Sequence, residues 1–289
     1  MNGILLIDKP CDWTSSDVVA KLRGILRERR IGHAGTLDPM ATGLLVVFVG
    51  RATRAVEFAE AQEKHYRAGL RLGLETDTQD VTGTAVGGEP RAVSERELEA
   101  TLTSFRGEIS QIPPMYSAIK VNGKKCYEIA RRGGVVERKP RTLRISELSI
   151  AGRQGEDFLL DVSCSKGTYI RTLCNDIGAA LGCGGCMSSL RRTRSGRFSV
   201  ENAFTLEQVQ QAADSGTAES LLLPVDTLFQ DSPLLCVNAA EEKRIRVGSA
   251  IPVSSPDGIY RVYSADGVFL ALSQVQRGSM RSKKSFFEV

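Results

Sequence analysis

A single aspartate, Asp38, lies in a short segment crowded with residues that restrict or free the backbone. Pro39 confines Asp38 to extended conformations, and glycines on either side permit angles that other residues avoid. A carboxylate held in this way just before an apolar run is a candidate nucleophile, because unusual backbone positions collect at functional sites. The competing interpretation is an Asx-type turn before a buried strand. The segment reads G-H-A-G-T-L-D-P-M-A-T-G-L-L over residues 32–45.

A second candidate is Arg171, in the first turn of a helix predicted to follow Lys166-Gly167. The apolar residues of this helix recur on one face, and Gly182 ends it. Arg171 lies off that face, at a helix start where the dipole disfavours a cation, so we expect it to pair with a nearby carboxylate. A solvated surface arginine is the alternative.

The elements that must position these residues alternate between strands and helices, without the Gly-rich βαβ repeats of a doubly wound nucleotide-binding fold. We therefore predict an α+β fold with a mixed, mainly antiparallel sheet flanked by helices, and a small β-rich unit at the C-terminus. Strands are predicted at 4–8, 44–49, 66–72 and 158–164, helices after the caps Thr14, Ser94 and Thr205, and a hairpin at 259–275 around Asp266-Gly267.

The composition is that of a globular protein, and we expect it in the cytoplasm. The chain has 289 residues and is 42% hydrophobic, which is enough for one large and one small domain. No apolar run approaches the ~18 residues of a membrane span, so no membrane partner is expected. The sequence does not begin with a signal-peptide pattern, and its seven cysteines are scattered, so we expect reduced thiols rather than a disulfide framework.

Basic residues concentrate in one window, residues 120–144, which holds nine lysines and arginines against two glutamates. Further arginine clusters lie at 191–197 and 277–284, the latter with two lysines. Three separated clusters suit a long polyanion such as RNA better than a small ligand. A solvated basic loop is the alternative for the first window.

Two other motifs are interpreted as structural. Cys183 and Cys186 have a metal-like spacing, but the chain offers no second pair at a suitable distance and only two histidines, so we expect structural thiols and no metal. The acidic residues of 75–80 do not meet the EF-hand spacing and are predicted to form a turn-rich loop. No cofactor site is expected, and a hydrolase triad is not supported for Ser15 or Ser16.

The chain resembles the TruB-type tRNA pseudouridine synthases, and the resemblance covers roughly residues 1 to 230 in family order. Besides the 32–45 segment, four motifs match: I-L-L-I-D-K-P with T-S-S at 4–16, K-H-Y-R-A at 64–68, S-K-G-T-Y-I-R-T-L at 165–173, and L-R-R-T-R-S-G at 190–196. The family converts a uridine of the tRNA T-loop, position 55, to pseudouridine by flipping it out of the RNA. The 110–145 segment resembles its RNA-gripping insertion.

The resemblance implies roles for individual residues. Asp38, Tyr66 and Arg171 correspond to the catalytic group, with Arg171 as the partner of the Asp38 carboxylate. The expected substrate-binding residues are His33, Tyr169, Leu190, Lys9, Arg131 and Arg132. Without the resemblance, Tyr66 would be interpreted as a core aromatic at the start of a strand. An ordinary satisfied histidine is the alternative for His33.

The expected organisation is a catalytic domain over 1–232, with the insertion at 110–145, and a small RNA-binding domain over 233–289 that is PUA-like. We expect a cofactor-free monomer that acts on the T-arm of tRNA without an obligate protein partner. Two alternatives remain open: a guide-RNA-dependent relative that acts on ribosomal RNA, and a non-catalytic RNA-folding or RNA-binding protein.

Overall fold

The computed structural model describes residues 1–117, 119–121 and 123–287, without the side chains of Lys120 and Lys125. Within this part the fold is α+β. The strands are β1 (Gly3–Lys9), β2 (Ile31–Ala34), β3 (Thr42–Val49), β4 (Lys64–Leu72), β5 (Glu75–Thr76), β6 (Ala85–Gly87), β7 (Gly107–Gln111), β8 (Lys120–Val121), β9 (Lys124–Lys125), β10 (Arg141–Gln154), β11 (Asp157–Cys164), β12 (Gly185–Ser195), β13 (Phe198–Ser199), β14 (Leu234–Cys236), β15 (Ile251–Pro252), β16 (Gly258–Tyr263), β17 (Phe269–Gln276) and β18 (Ser279–Ser285).

The helices are α1 (Ser15–Leu26), α2 (Val56–Glu60), α3 (Glu95–Leu102), α4 (Cys126–Ala130), α5 (Ile170–Ala180), α6 (Leu206–Asp214) and α7 (Ala239–Arg246). The three predicted caps are confirmed: Thr14, Ser94 and Thr205 each accept a hydrogen bond from the backbone of the third helical residue. Such bonds satisfy amides that a helix start leaves free.

A nine-stranded mixed sheet organises the larger part of the chain, in the order β1-β3-β12-β4-β11-β10-β7, with β2 beside β3 and β13 beside β12. Its only parallel pairing among the described strands joins β12 to β3. Gly43 makes this pairing possible: its φ is +97°, and a Cβ there would lie 2.3 Å from the Arg192 carbonyl oxygen. The predicted mainly antiparallel sheet is therefore confirmed.

Residues from Leu234 onward form a five-stranded sheet, in the order β14-β16-β17-β18-β15, which contains the predicted hairpin as β16 and β17. It packs against the first sheet through a shared hydrophobic cluster that includes Phe229, Leu272 and Phe286. Lys284 also pairs with Glu57 of α2 at 2.6 Å. Within the described chain, no helix combines the length and the apolar character that crossing a membrane requires.

Candidate active site

Asp38 lies on the loop between β2 and β3, and neighbouring chain fixes this loop on both sides of it. Ser15 Oγ accepts a hydrogen bond from the Leu37 amide at 2.9 Å. Lys9 Nζ donates to the Pro39 carbonyl at 3.1 Å, and the Ala41 amide donates to the Asp38 carbonyl at 3.1 Å. The backbone of Asp38 is therefore held in one conformation, with its side chain free to make other contacts.

The side chain of Asp38 forms a bidentate pair with Arg171, 133 residues later in the chain: Nε lies 3.0 Å from Oδ2 and Nη2 3.2 Å from Oδ1. Arg171 also donates to the carbonyls of Thr78, at 3.0 Å, and Tyr116, at 2.8 Å. Its side chain is 6% exposed and that of Asp38 is 35% exposed. The guanidinium is thus locked in place, while the carboxylate remains open to a ligand.

Asp80 is a second carboxylate beside Arg171, with Oδ2 at 3.8 Å from Nε. Thr78 Oγ1 and the Thr82 amide donate to its other oxygen, Oδ1, at 2.9 Å and 3.0 Å. The residue is 5% exposed. Arg171 occupies the second position of α5, where the helix dipole disfavours a cation, and two carboxylates offset this cost. The expectation that Arg171 has a carboxylate partner is therefore confirmed.

Two tyrosines lie close enough to Asp38 for its charge to raise their pKa. Burial is the largest cause of the raised pKa of Tyr66, and the nearby Arg192 guanidinium opposes it. Burial also raises the pKa of Tyr169, which is the N-cap residue of α5. Both phenols therefore stay protonated at neutral pH and can donate a hydrogen or stack, but they carry no charge.

Tyr66 is half-buried on β4, which begins at Lys64, two residues before the predicted start. It packs against the hydrophobic cluster that contains Ala68 and Leu190, and Leu190 is opposite Ala68 in the β12–β4 register. This arrangement brings Tyr66 and Leu190, predicted from separate motifs, to the same part of the sheet. It provides an apolar wall beside the carboxylate.

His33 lies on β2, five residues before Asp38 in the chain, and it is half-buried. Its Nδ1 is buried and has no hydrogen-bond partner in the part of the chain that the structure describes. Burial, with a smaller contribution from the charge of Arg192, lowers the pKa of His33. The imidazole is therefore neutral at pH 7, which suits contact with bases rather than with phosphates.

The burial of Lys9 is at odds with the substrate contact expected from sequence. Its side chain has no exposed surface, and Nζ donates to the carbonyls of Pro10 and Trp13 at 2.8 Å and 2.6 Å, as well as to Pro39. All three ammonium hydrogens are thereby used within the protein. Lys9 instead holds the Asp38 loop.

The arginine cluster at 191–197 also differs from the expected anion-binding surface. Arg192 is 1% exposed, and it donates to the carbonyls of Gly35 and Leu44 at 2.9 Å and 2.7 Å, one on each side of the Asp38 loop. Arg191 pairs with Asp8, and Arg197 with Asp231. Arg194 is the exposed member of the cluster. Burial therefore removes Arg192 from contact with a partner, while Arg191 and Arg197 are partly exposed and already paired with carboxylates.

Sequence reasoning missed Asp80, which lies beside Arg171, and Gln111, which bonds to the backbone of Tyr169. It also missed the burial of Lys64 near Arg192. The sequence predicted Asp80 only as one acidic residue of a turn-rich loop. The flanking Thr78 and Thr82 were the available signal, because their donors can fix a carboxylate between them. Lys64 is 5% exposed; its ammonium donates to two carbonyls at 2.6 Å, and burial lowers its pKa to about 8. Nothing in its sequence neighbourhood signals that burial.

The region 110–145 leaves the sheet after Gln111 and returns at Arg141, which is opposite Gln111 in the β7–β10 register. Its exposed basic residues include Arg131 and Arg132 at the end of α4, and the Arg131 guanidinium lies 5.4 Å from the Tyr127 ring centre. The side chains of Lys120 and Lys125, two of the nine basic residues in the window, lie outside the described part, as does Ala118. The segment thus starts from β7, an edge strand of the sheet, and its residue Tyr116 contacts Arg171.

Cys183 and Cys186 are buried free thiols, and burial raises the pKa of Cys186 to about 11. A thiol in this environment stays protonated and is a poor metal ligand. Among the residues that the structure describes, no group of three or more His, Cys, Asp or Glu side chains is arranged to hold a metal ion.

Comparisons with known proteins agree over most of the chain. Residues 23–170 match the family described as TruB family pseudouridylate synthase (N terminal domain), and residues 171–230 match the tRNA pseudouridylate synthase B C-terminal domain. Proteins named tRNA pseudouridine synthase B include one from Azoarcus sp. (strain BH72), 43% identical over 98% of this chain and 94% of that protein. One from Alkaliphilus oremlandii (strain OhILAs) is 46% identical over 87% of this chain and 83% of that protein.

Among solved structures, the chain is similar to one in a Cbf5-Nop10-Gar1 complex, with a TM-score of 0.76 and 26% identity. That match covers 99% of this chain and 85% of the other. A chain of an H/ACA RNP bound to a substrate RNA containing 2'-deoxyuridine gives a TM-score of 0.74 at 24% identity, covering 99% of this chain and 85% of that chain. The second likeness concerns the fold alone.

Proposed function

The chain belongs to the TruB family of pseudouridylate synthases, and we propose that it converts the uridine at position 55, in the T-loop of tRNA, to pseudouridine. The observation that carries this proposal is the Asp38–Arg171 pair, in which the carboxylate is 35% exposed and the guanidinium side chain is buried. Relatives named for action on tRNA match almost the whole chain, which supports tRNA as the substrate.

The reaction breaks the C–N glycosidic bond, rotates the base and forms a C–C bond, so substrate and product have the same atoms and the same oxidation state. A carboxylate is sufficient in kind for such a step, whether it adds to the pyrimidine ring, attacks the ribose or supports elimination to a glycal. We assign this role to Asp38. Arg171 aims the carboxylate through two parallel hydrogen bonds, a geometry that lysine does not reproduce.

The surrounding side chains would receive the flipped uridine. Flipping costs a few kcal/mol of unstacking, and stacking on an aromatic ring returns ~1–3 kcal/mol per base. Tyr66 would stack on the ring, with Tyr169 and Leu190 lining the pocket. The neutral His33 would fill the space that the uridine leaves in the RNA loop, since an uncharged ring stacks between bases without a desolvation penalty for charge.

The proposal is tested by incubating the purified protein with an unmodified tRNA transcript and mapping any pseudouridine. We expect one modified position, in the T-loop, and none in a transcript whose target uridine is replaced by cytidine. Modification elsewhere would contradict the assigned substrate position, and no modification with a correctly folded transcript would contradict the activity.

The same assay separates a stand-alone enzyme from a guide-dependent one. The solved Cbf5 structures are of complexes with other proteins, whereas the curated relatives carry the name of a tRNA enzyme. We therefore propose that the chain acts as a cytoplasmic monomer without an obligate partner, with residues 1–232 as the catalytic domain and 233–289 as a PUA-like RNA-binding domain. Activity that requires an added guide RNA would overturn this.

Replacing Arg131 and Arg132 with alanine is expected to weaken tRNA binding and to flatten its salt dependence. Each lost phosphate contact reduces the magnitude of the slope of log binding constant against log salt concentration by ~0.7–0.9. The turnover rate at saturating tRNA should change little, since neither side chain is expected to touch the uridine. Binding measured from low to moderate salt checks this. An unchanged tRNA affinity with an unchanged salt dependence would mean that the segment is a solvated loop. A strongly reduced turnover rate with an unchanged tRNA affinity would instead place the two arginines in the catalytic pocket.

Activity is expected to be independent of divalent metal and of nucleotides, because the proposed chemistry needs only a carboxylate and its partner. The measurement is the pseudouridine yield after treatment with chelator, with the fold of the tRNA checked separately, since magnesium also stabilises RNA. Loss of activity that one specific metal restores, with the tRNA fold unchanged, would contradict this expectation.

A further inference from the structure

Gln111 is a buried polar residue at the base of the insertion. It is 1% exposed and is the last residue of β7, where the chain leaves the sheet. Arg141, where the chain returns, is its direct partner in the β7–β10 register. Any displacement of the insertion therefore acts first on the Gln111–Arg141 pair.

The side chain of Gln111 makes two hydrogen bonds to the backbone of one residue, Tyr169. Nε2 donates to the Tyr169 carbonyl at 3.1 Å, and the Tyr169 amide donates to Oε1 at 2.9 Å. Paired residues of neighbouring antiparallel strands exchange the same two hydrogen bonds, one donated and one accepted. Here a side-chain amide makes both. A buried amide that satisfies both a donor and an acceptor is costly to remove, because each partner loses its bond.

Tyr169 is the N-cap residue of α5, and its own side chain forms no capping hydrogen bond. The usual means of fixing a helix start is therefore missing at this end of α5. Gln111 fixes the Tyr169 backbone instead, from outside the helix. Arg171 follows two residues later, so the direction in which its guanidinium leaves the helix depends on how Tyr169 is held.

The insertion makes a second contact with Arg171 directly. Nη2 of Arg171 donates both to Oδ1 of Asp38 and to the carbonyl of Tyr116, five residues beyond Gln111. The first residues of the insertion thus hold both the backbone before Arg171 and one of the two nitrogens that contact the carboxylate.

We propose that Gln111 is a positioning residue for the Asp38–Arg171 pair, through which the base of the RNA-binding insertion sets the orientation of Arg171. The inference rests on the proposed function, in which this pair performs the chemistry. The insertion is then part of the frame of the catalytic pocket as well as a surface for RNA. Removal of the Gln111 amide should slow the chemical step and leave the affinity for tRNA unchanged.

The test uses Gln111→Met, which keeps the length of the side chain and removes both hydrogen bonds, with Gln154→Met as the matched control on the exposed end of β10. We expect the single-turnover rate of Q111M at saturating enzyme to fall about tenfold or more, because small misplacements of catalytic groups cost this much. The tRNA dissociation constant should stay that of the parent. Amide hydrogen exchange should rise in the peptide that covers Tyr169 and Arg171, where the amide loses its acceptor. Q154M should change none of these.

A parent protein that forms no pseudouridine would defeat the proposed function, whereas an active parent with an unaffected Q111M would defeat only the present inference. A slower Q111M without faster exchange at Tyr169, or faster exchange with an unchanged rate, would each overturn the positioning role. So would a loss confined to tRNA affinity. If Q111M does not fold, the single-turnover rate and the tRNA affinity of Gln111→Glu decide, since that variant keeps an acceptor for the Tyr169 amide and loses only the donor to its carbonyl. An unchanged rate there overturns the inference.

Discussion

Replacement of Asp38 with asparagine is expected to abolish pseudouridine formation, lowering the single-turnover rate by about 10⁴-fold or more, as when one member of a catalytic unit is removed. An amide is not a nucleophile, and its nitrogen would face a donor of Arg171 instead of accepting from it. Binding of tRNA should be nearly unchanged, because Asp38 contributes no attraction to phosphates. Rates with enzyme in excess, together with direct binding measurements, separate the two effects.

The chain contains a matched control for this substitution. Asp161 forms the same bidentate pair with Arg67, at 2.9 Å and 2.8 Å, but on an exposed part of the sheet, where both side chains are about half accessible. Asp161→Asn should leave the rate and the affinity unchanged, since exposed pairs contribute little. Turnover by purified D38N at a rate near that of the parent would remove Asp38 from its assigned role.

The parts of the fold that follow from local rules could be predicted from the sequence. The Thr14 cap needs only the hydroxyl and a carboxylate three residues later, and both hydrogen bonds of that capping box are formed. The hairpin around Asp266-Gly267 likewise depends on a turn signal between alternating strands. These interactions join neighbours in the chain, so the sequence contains all the information that determines them.

The burial of Lys9 and Arg192 could not be predicted in this way. A basic residue is counted as solvated unless its partners are known, and here the partners are backbone carbonyls, which every residue possesses. The carbonyl of Gly35 is 157 residues from Arg192. Only the folded sheet brings such groups together, and the same burial that makes these cations unavailable to RNA lets them fix the Asp38 loop.

Asp80 and Gln111 escaped notice for a related reason. Asp80 contacts Arg171, and Gln111 contacts Tyr169. Each lies far from its partner in the chain and belongs to no recognisable motif. A carboxylate partner for Arg171 could be predicted because a cation at a helix start indicates a nearby carboxylate, and the family resemblance identified Asp38 as that partner. The residues that support the pair leave no comparable electrostatic signal, since neutral amides and loop acids are common in any sequence.

Replacement of Arg171 with lysine is expected to lower the rate by roughly 10²–10³-fold while leaving tRNA affinity close to that of the parent, the loss typical of removing a preorganised donor. The substitution preserves the charge, so a purely Coulombic role would survive it. It removes the planar fork that contacts both oxygens of Asp38 and the carbonyls of Thr78 and Tyr116. One ammonium cannot reach all these acceptors, so the carboxylate would no longer be aimed.

Arg67→Lys is the control, because it makes the same change in the exposed pair with Asp161 and should leave the rate unaffected. Thermal unfolding of both variants separates lost stability from lost chemistry: R171K is expected to unfold at a lower temperature, because buried carbonyls and carboxylates lose donors. A folded R171K with the parent rate would mean that only the charge at this position matters. The bidentate geometry, and with it the positioning role inferred for Gln111, would then have no part in catalysis.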